Sequence, residues 1–103
     1  MSWFLYVIEC RDGSLYTGIA TDVARRWAEH VAGRGARYTR AHPPLRLLAV
    51  APYPDRSTAS RAEYALKQLK PTAKRHFCQT NPAPLDLLAV LACEAGSVGN
   101  PES

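Results

Sequence analysis

The chain is short of three things, and each shortage closes off a class of function. Cysteine is scarce: Cys10, Cys78 and Cys93 form an odd, widely spaced set with no Cys-x-x-Cys. Neither a disulfide framework nor a zinc site is expected, and the thiols read as buried or idle. Long apolar runs are missing too, since nothing approaches the roughly 18 residues needed to cross a bilayer, and no membrane role is expected. The opening Met-Ser-Trp-Phe-Leu-Tyr-Val-Ile has no basic segment and meets Glu9 at once. It reads as a strand rather than a secretory leader, which implies a cytoplasmic protein. The third shortage is acid. The first 77 residues hold six carboxylates (Glu9, Asp12, Asp22, Glu29, Asp55, Glu63) against all 13 Lys and Arg, a balance of 13 − 6 = +7. Asp86, Glu94 and Glu102 bring the whole to +4. A basic body selects polyanionic partners, nucleic acid above all. Ten of the 13 cations are Arg, whose planar fork suits bidentate phosphate contact. Solubility is the competing reading of a pI near 9.2.

What is present is one domain's worth of alternating patterns: 103 residues, 47% of them apolar. Trp3 to Cys10 is rich in β-branched and aromatic residues, Asp12-Gly13 is a turn signal, and Leu15 to Ala20 is a second short run, so the pair reads as a β-hairpin. Thr21 or Asp22 caps a helix running to about Ala32, with Val23, Trp27 and Val31, or Ala24 and Ala28, facing inward; Gly33 and Gly35 stop it. Arg34 to Pro44 reads as a basic loop. Leu45 to Tyr53 reads as a strand, and Asp55 or Ser57 caps a helix from Ser57 to Leu69 with Ala62, Leu66 and Leu69 at helical spacing. Pro71 opens another short helix, Asn81-Pro82-Ala83-Pro84 breaks it, and Leu85 to Cys93 reads as a last helix. The order implies an α+β fold, an antiparallel sheet flanked by helices. The expected division is a domain over 1–80, a helical extension packing on it over 81–94, and a tail over 95–103.

Some residues fit a chemical reading as well as a structural one. Tyr6 and Tyr16 lie across the hairpin and can share a face, although tyrosine is also an ordinary strand former. Gly18 within a short strand weakens it and points to close approach by a ligand or backbone. Arg26 and His30 are i, i+4 on one helix face. Two potential cations gain nothing from each other, but around a phosphate the arginine clamps oxygens while the histidine moves a proton. A solvated face with Arg25 and Glu29 as ion partners is the alternative. Glu63 is the one acid on its helix, in the manner in which Mg²⁺ is held by one carboxylate, waters and substrate phosphate. An i, i+4 bridge to Lys67 accounts for it equally well.

Taken in order, Phe4-Leu5-Tyr6, Tyr16-Thr17-Gly18, Arg26-x3-His30 and Arg61-Ala62-Glu63-Tyr64 resemble the GIY-YIG nuclease superfamily. Gly35-Ala36-Arg37-Tyr38-Thr39 resembles its short stand-alone bacterial members, the YhbQ-like group. The likeness spans Trp3 to about Lys70. Phe4 and Leu5 replace the glycine and isoleucine of the first signature, Thr17 replaces the central isoleucine of the second, and the asparagine that many members carry after the glutamate has no clear counterpart, Asn81 lying beyond a helix break. Nothing resembles the targeting modules of larger relatives.

The resemblance implies a three-stranded antiparallel sheet flanked by helices and a metal-dependent endonuclease acting on phosphodiester bonds, DNA more than RNA. It implies Glu63 on a divalent cation, Mg²⁺ or Mn²⁺, and Arg26 on the scissile phosphate. Tyr6 is then the general base or orients the attacking water, while Tyr16 and His30 orient water and phosphate or relay protons. Gly18, Arg25, Arg37, Tyr38, Arg40 and Lys67 are the expected substrate contacts, Tyr38 by stacking on a base. The rival class is a non-catalytic nucleic-acid-binding module that keeps the fold and the basic face.

Overall fold

A computed structural model describes residues 2–85, 87 and 88. Three strands, β1 (Trp3–Cys10), β2 (Leu15–Ala20) and β3 (Pro44–Tyr53), form one antiparallel sheet in the order β2-β1-β3. Helices α1 (Val23–Val31), α2 (Arg37–Ala41), α3 (Arg56–Lys67) and α4 (Pro71–Thr80) join the sheet in an α+β fold. Among the described residues, no helix is long and apolar enough to cross a membrane.

Two long helices begin where an aspartate supplies a cap. Asp22 accepts a hydrogen bond from the Arg25 amide at 3.1 Å, and Asp55 accepts one from the Thr58 amide at 2.9 Å, each satisfying a donor that the first turn leaves unpaired. At the other end of α1 the chain turns through Gly33, with the Gly33 amide on the His30 carbonyl and the Arg34 amide on that of Glu29, a pairing that consumes the last free carbonyls.

The central strand is buried from Leu5 to Cys10, so its two faces sort the rest of the chain. Tyr6, Ile8 and Cys10 point to one side, where they pack with Val23, Leu47 and Ala83 and with the partly buried Tyr16, Trp27 and Leu87. Leu5 and Val7 point to the other, against Ala49, Leu66 and Cys78. Thus α1 covers one face and α3 with α4 the other. The free edge of β3 is closed by the chain after α4: the Val50 amide donates to the Asn81 carbonyl and the Ala83 amide to that of Leu48. That pairing keeps an edge strand carrying two prolines from presenting an open ladder.

Four expectations change. The basic loop contains a helical turn, α2, which no side chain caps. On α1 the inward residues are Val23, Trp27 and His30, whereas Val31 is 47% exposed and Ala28 is exposed as well. The third helix starts one residue after Asp55 and stops at Lys67, leaving Leu69 outside it and exposed. The last strand begins at Pro44 rather than Leu45. Of the extension expected over 81–94, Ala83, Leu87 and Leu88 pack on the Tyr6 face. Asp86 and residues 89–94, Cys93 included, and the tail expected over 95–103 lie outside the described residues.

Candidate functional site

The hairpin register builds the site. Tyr6 pairs with Gly18 and Ile8 with Tyr16, so both tyrosines emerge on one face, their rings 6.4 Å apart. Glycine at position 18 is required by the Tyr6 ring itself: a Cβ there would lie 2.5 Å from the phenolic oxygen. The close approach that this glycine accommodates is therefore a side chain crossing the sheet.

Helix α1 brings the second layer. His30 sits two turns after Val23 on the buried stripe and is only 1% exposed. Its Nε2 is 2.9 Å from the Tyr6 hydroxyl and its Nδ1 is 2.7 Å from the Thr39 hydroxyl, which in turn donates to the Ala36 carbonyl at 3.0 Å. Arg26, one turn earlier, is partly buried, donates to Glu29 at 2.8 Å and faces the Tyr6 hydroxyl as a donor. Arg25 is far more exposed and reaches Glu29 at 3.8 Å. The ion-pair reading of this helix face thus describes Arg25, Arg26 and Glu29, while His30 turns into the interior.

The electrostatics follow from burial. Desolvation, helped by the neighbouring Tyr16, pushes the Tyr6 phenol up to about 12, and the Arg26 guanidinium only partly offsets this. Burial also drives His30 down to about 4, with the Arg26 charge adding to it, so the imidazole is neutral near pH 7. Glu63 lies on α3 close enough for its carboxylate to act on Tyr6, and its Oε2 is bonded to Lys67 at 3.1 Å. The i, i+4 bridge between Glu63 and Lys67 is therefore formed.

Outside these residues an aromatic stack leads to the surface. Tyr16 stacks on Tyr38 at 5.8 Å, and Tyr38 on His42 at 4.3 Å, both at 22°. His42 is anchored to Asp12 in the hairpin turn. Arg37 and Arg40 are exposed on α2. A pocket of about 310 Å³ is lined by Trp3, Arg25 and Arg26, and another of about 260 Å³ by Tyr38, Lys74 and Arg75.

So Tyr6, Tyr16, Arg26 and His30 come together, with Glu63 alongside, while Arg37, Tyr38 and Arg40 form a rim. Asn81 is occupied at the far edge of the sheet, its side chain donating to the Phe77 carbonyl and Thr80. Sequence reasoning missed Gly35, Thr39, His42 and Lys74. For Gly35 a signal existed: a second glycine two residues past Gly33 is more than a helix stop needs. A Cβ on Gly35 would fall 2.3 Å from His30 Nδ1.

As to a metal, no cluster of three or more His, Cys, Asp or Glu exists among the described residues. A closed all-protein cage is therefore not what this surface offers. A single partly buried carboxylate beside a phenol and a guanidinium does suit a hard divalent cation that keeps its waters and shares a substrate phosphate.

Comparison with known proteins agrees with this geometry. The GIY-YIG catalytic domain model matches residues 2–76. A UPF0213 protein of Xanthomonas axonopodis pv. citri is 54% identical over 80 residues, 78% of each chain. Among solved structures, the solution NMR structure of the UPF0213 protein BH0048 from Bacillus halodurans is 39% identical with a TM-score of 0.53, covering 89% of this chain and 98% of that one. The NMR structure of protein EF2693 from E. faecalis is 37% identical with a TM-score of 0.55, covering 78% and 85%.

Proposed function

The chain belongs to the GIY-YIG family, and on that premise we propose that it is a divalent-metal-dependent endonuclease that hydrolyses phosphodiester bonds, in DNA more than RNA. The observation that carries the reading is the buried hydrogen bond from Tyr6 to His30, 2.9 Å long, with Arg26 and Glu63 acting on the same phenol. A tyrosine placed only for packing needs neither an imidazole nor a guanidinium at its hydroxyl.

Tyr6 is the base, and the magnitudes decide how it works. A phenol near 12 beside an imidazole near 4 keeps its proton in the free protein, so no standing phenolate exists at neutral pH. Instead the Tyr6 oxygen accepts a proton from the attacking water while its own proton passes to His30 Nε2. One O–H bond forms on Tyr6 as another breaks, and His30 ends as imidazolium. Negative charge developing on the phosphate then favours that cation, as it favours Arg26. Glu63 would hold the cation, released from Lys67 as it does so; a bound Mg²⁺ or Mn²⁺ lowers the pKa of its waters and neutralises phosphate charge. Tyr16 closes the site on its outer side, with Gly18 giving the Tyr6 ring its place. Arg25, Arg37, Tyr38, Arg40 and Lys67 line the approach of the strand, Tyr38 by stacking.

The test is incubation of the purified chain with labelled single-stranded, duplex and branched DNA, with and without Mg²⁺ or Mn²⁺. Metal-dependent cleavage, absent in Tyr6→Phe, is the expected result. Binding with no cleavage of any substrate would identify a nucleic-acid-binding module instead.

A further inference from the structure

The hydrogen bonds around His30 have a direction, and Thr39 fixes it. Four groups stand in line: Arg26, Tyr6, His30 and Thr39, ending at the Ala36 carbonyl. Arg26 has only donors to offer. A neutral imidazole has one N–H, and which nitrogen holds it decides the rest. If Nε2 carried the proton, the Tyr6 oxygen would face a donor from His30 and another from Arg26, and its own buried O–H would have no acceptor among the described residues. If Nδ1 carries it, every proton is used: Thr39 donates to the Ala36 carbonyl, Nδ1–H donates to Thr39, and Tyr6 donates to a bare Nε2. Buried polar groups with no partner cost about 1–3 kcal/mol each, so the second arrangement holds.

We infer that Thr39 is a positioning residue that holds His30 in the Nδ1–H tautomer and so leaves Nε2 free to take the Tyr6 proton. Two features serve this. The turn α2 has no side-chain cap and buries one residue, Thr39. Gly35 lets the chain leading into α2 lie against the imidazole, where any side chain would displace the ring. The role in turnover rests on the nuclease reading above; the tautomer does not.

Two measurements separate them. In uniformly ¹⁵N-labelled protein near pH 7, long-range ¹H–¹⁵N correlations of His30 report which ring nitrogen is protonated, with no substrate present. Expected is a protonated-type Nδ1 and an unprotonated-type Nε2; the reverse pattern in the wild-type protein overturns the inference whatever the activity. Thr39→Val, which keeps the shape and removes the hydroxyl, should give a mixture of tautomers or a switch. Thr39→Ser should keep the wild-type pattern. Under the nuclease reading, kcat in Thr39→Val falls roughly 10–100-fold, the scale for losing an outer-shell partner, with KM little changed, and Thr39→Ser restores most of that loss. An unaltered tautomer in a folded Thr39→Val also overturns it. A wild-type protein with the expected tautomer but no nuclease activity sinks the function and leaves this assignment standing.

Discussion

Strand β1 takes two polar side chains into the interior, three residues apart and on opposite faces, and the fold handles them in opposite ways. Glu9 is ionised and answered: Arg46 from β3 and Arg75 from α4 both reach its carboxylate, and Arg75 also donates to the Gly13 carbonyl. The two guanidiniums hold its pKa below the usual carboxylate range despite burial. Tyr6 meets one cation and a neutral histidine, itself held by the Thr39 hydroxyl, and its pKa moves away from neutrality. The Glu9 cluster ties two strands and a helix together, with its one carboxylate answered by two guanidiniums. The Tyr6 chain leaves a proton, an unshared nitrogen and a guanidinium poised around one oxygen. Compensated charge is what a structural network looks like; directed, uncharged hydrogen bonding with one cation at its mouth is what a reactive one looks like.

The largest effect expected is at Glu63, the carboxylate proposed to hold the cation. Glu63→Gln should abolish cleavage, a loss of about 10³-fold or more and so at least about 4 kcal/mol of transition-state stabilisation. DNA binding should survive or tighten slightly, because a negative charge facing phosphate is gone. Retention of more than about a tenth of wild-type turnover would mean that the cation is held elsewhere. Glu9→Gln should do the converse. It should lower stability by about 2 kcal/mol, less than the 3–5 of a fully buried pair because Arg46 and Arg75 are 64% and 45% exposed, and leave turnover intact.

Next in size is Tyr6→Phe, with turnover down by about 10²-fold or more. From sequence alone the change looks almost free of structural cost. With the hydroxyl buried against His30 Nε2, about 1–2 kcal/mol of stability should go as well, a fall in Tm on the order of 10 °C. Arg26→Lys keeps the charge but loses the fork and should be impaired, with Arg26→Ala worse. A Tyr6→Phe protein cutting at the wild-type rate while Tyr16→Phe is inactive would move the base to Tyr16.

How much of this was legible beforehand depended on whether the cause was local. Asp12-Gly13, Asp22 and Asp55 act on their own neighbours, so the hairpin and two helix starts could be read off directly. The α+β class followed from the order of the elements. The spacing of Arg26 and His30 was visible, but their unlike environments were not: four residues bring an α-helix back to nearly the same face, so periodicity gives no reason for Arg26 to be partly exposed and His30 buried. What selects His30 over Val31 for the interior is Thr39 and Tyr6, which come from elsewhere in the chain. Likewise α2 is too short for propensity to specify; it forms where Thr39 meets His30. Sites made of long-range partners leave little local trace.

Acid should separate the two networks. For His30 the folded pKa, about 4, lies below the unfolded value of about 6.5. Between those values the unfolded chain binds the extra proton, so stability falls as pH drops from about 6.5 to about 4, by up to about 3 kcal/mol, and this contribution then levels off. Glu9 has the opposite chemistry. Its folded pKa is also lowered, but for an acid the stabilisation is complete above the ordinary carboxylate range and is lost as pH falls through the lowered folded value. Urea melts from pH 7 to 3 should therefore show two stages, the upper abolished in His30→Gln and the lower reduced in Glu9→Gln. An unchanged upper stage in His30→Gln would mean that the imidazole is not held neutral.

The smallest effect concerns which arginines remain free for substrate. Arg46 and Arg75 are committed to Glu9, and Arg26 to Glu29 and Tyr6, whereas Arg37 and Arg40 stand exposed on α2 with no ion pair among the described residues. Release of counterions from DNA requires cations that reach phosphates, so log Kd should depend on log salt with a slope set by the uncommitted ones. Arg37→Ala and Arg40→Ala should each reduce that slope by about one and weaken binding several-fold at low salt, with cleavage of bound DNA little changed. Arg46→Ala removes the same formal charge from the molecule but should leave the slope where it was, because its guanidinium is already answered by a carboxylate. Titration of labelled DNA by fluorescence anisotropy at several salt concentrations reads all three. Equal slope changes for Arg46 and Arg40 would show that net charge alone governs docking and that the distinction between committed and free arginines has no bearing on it.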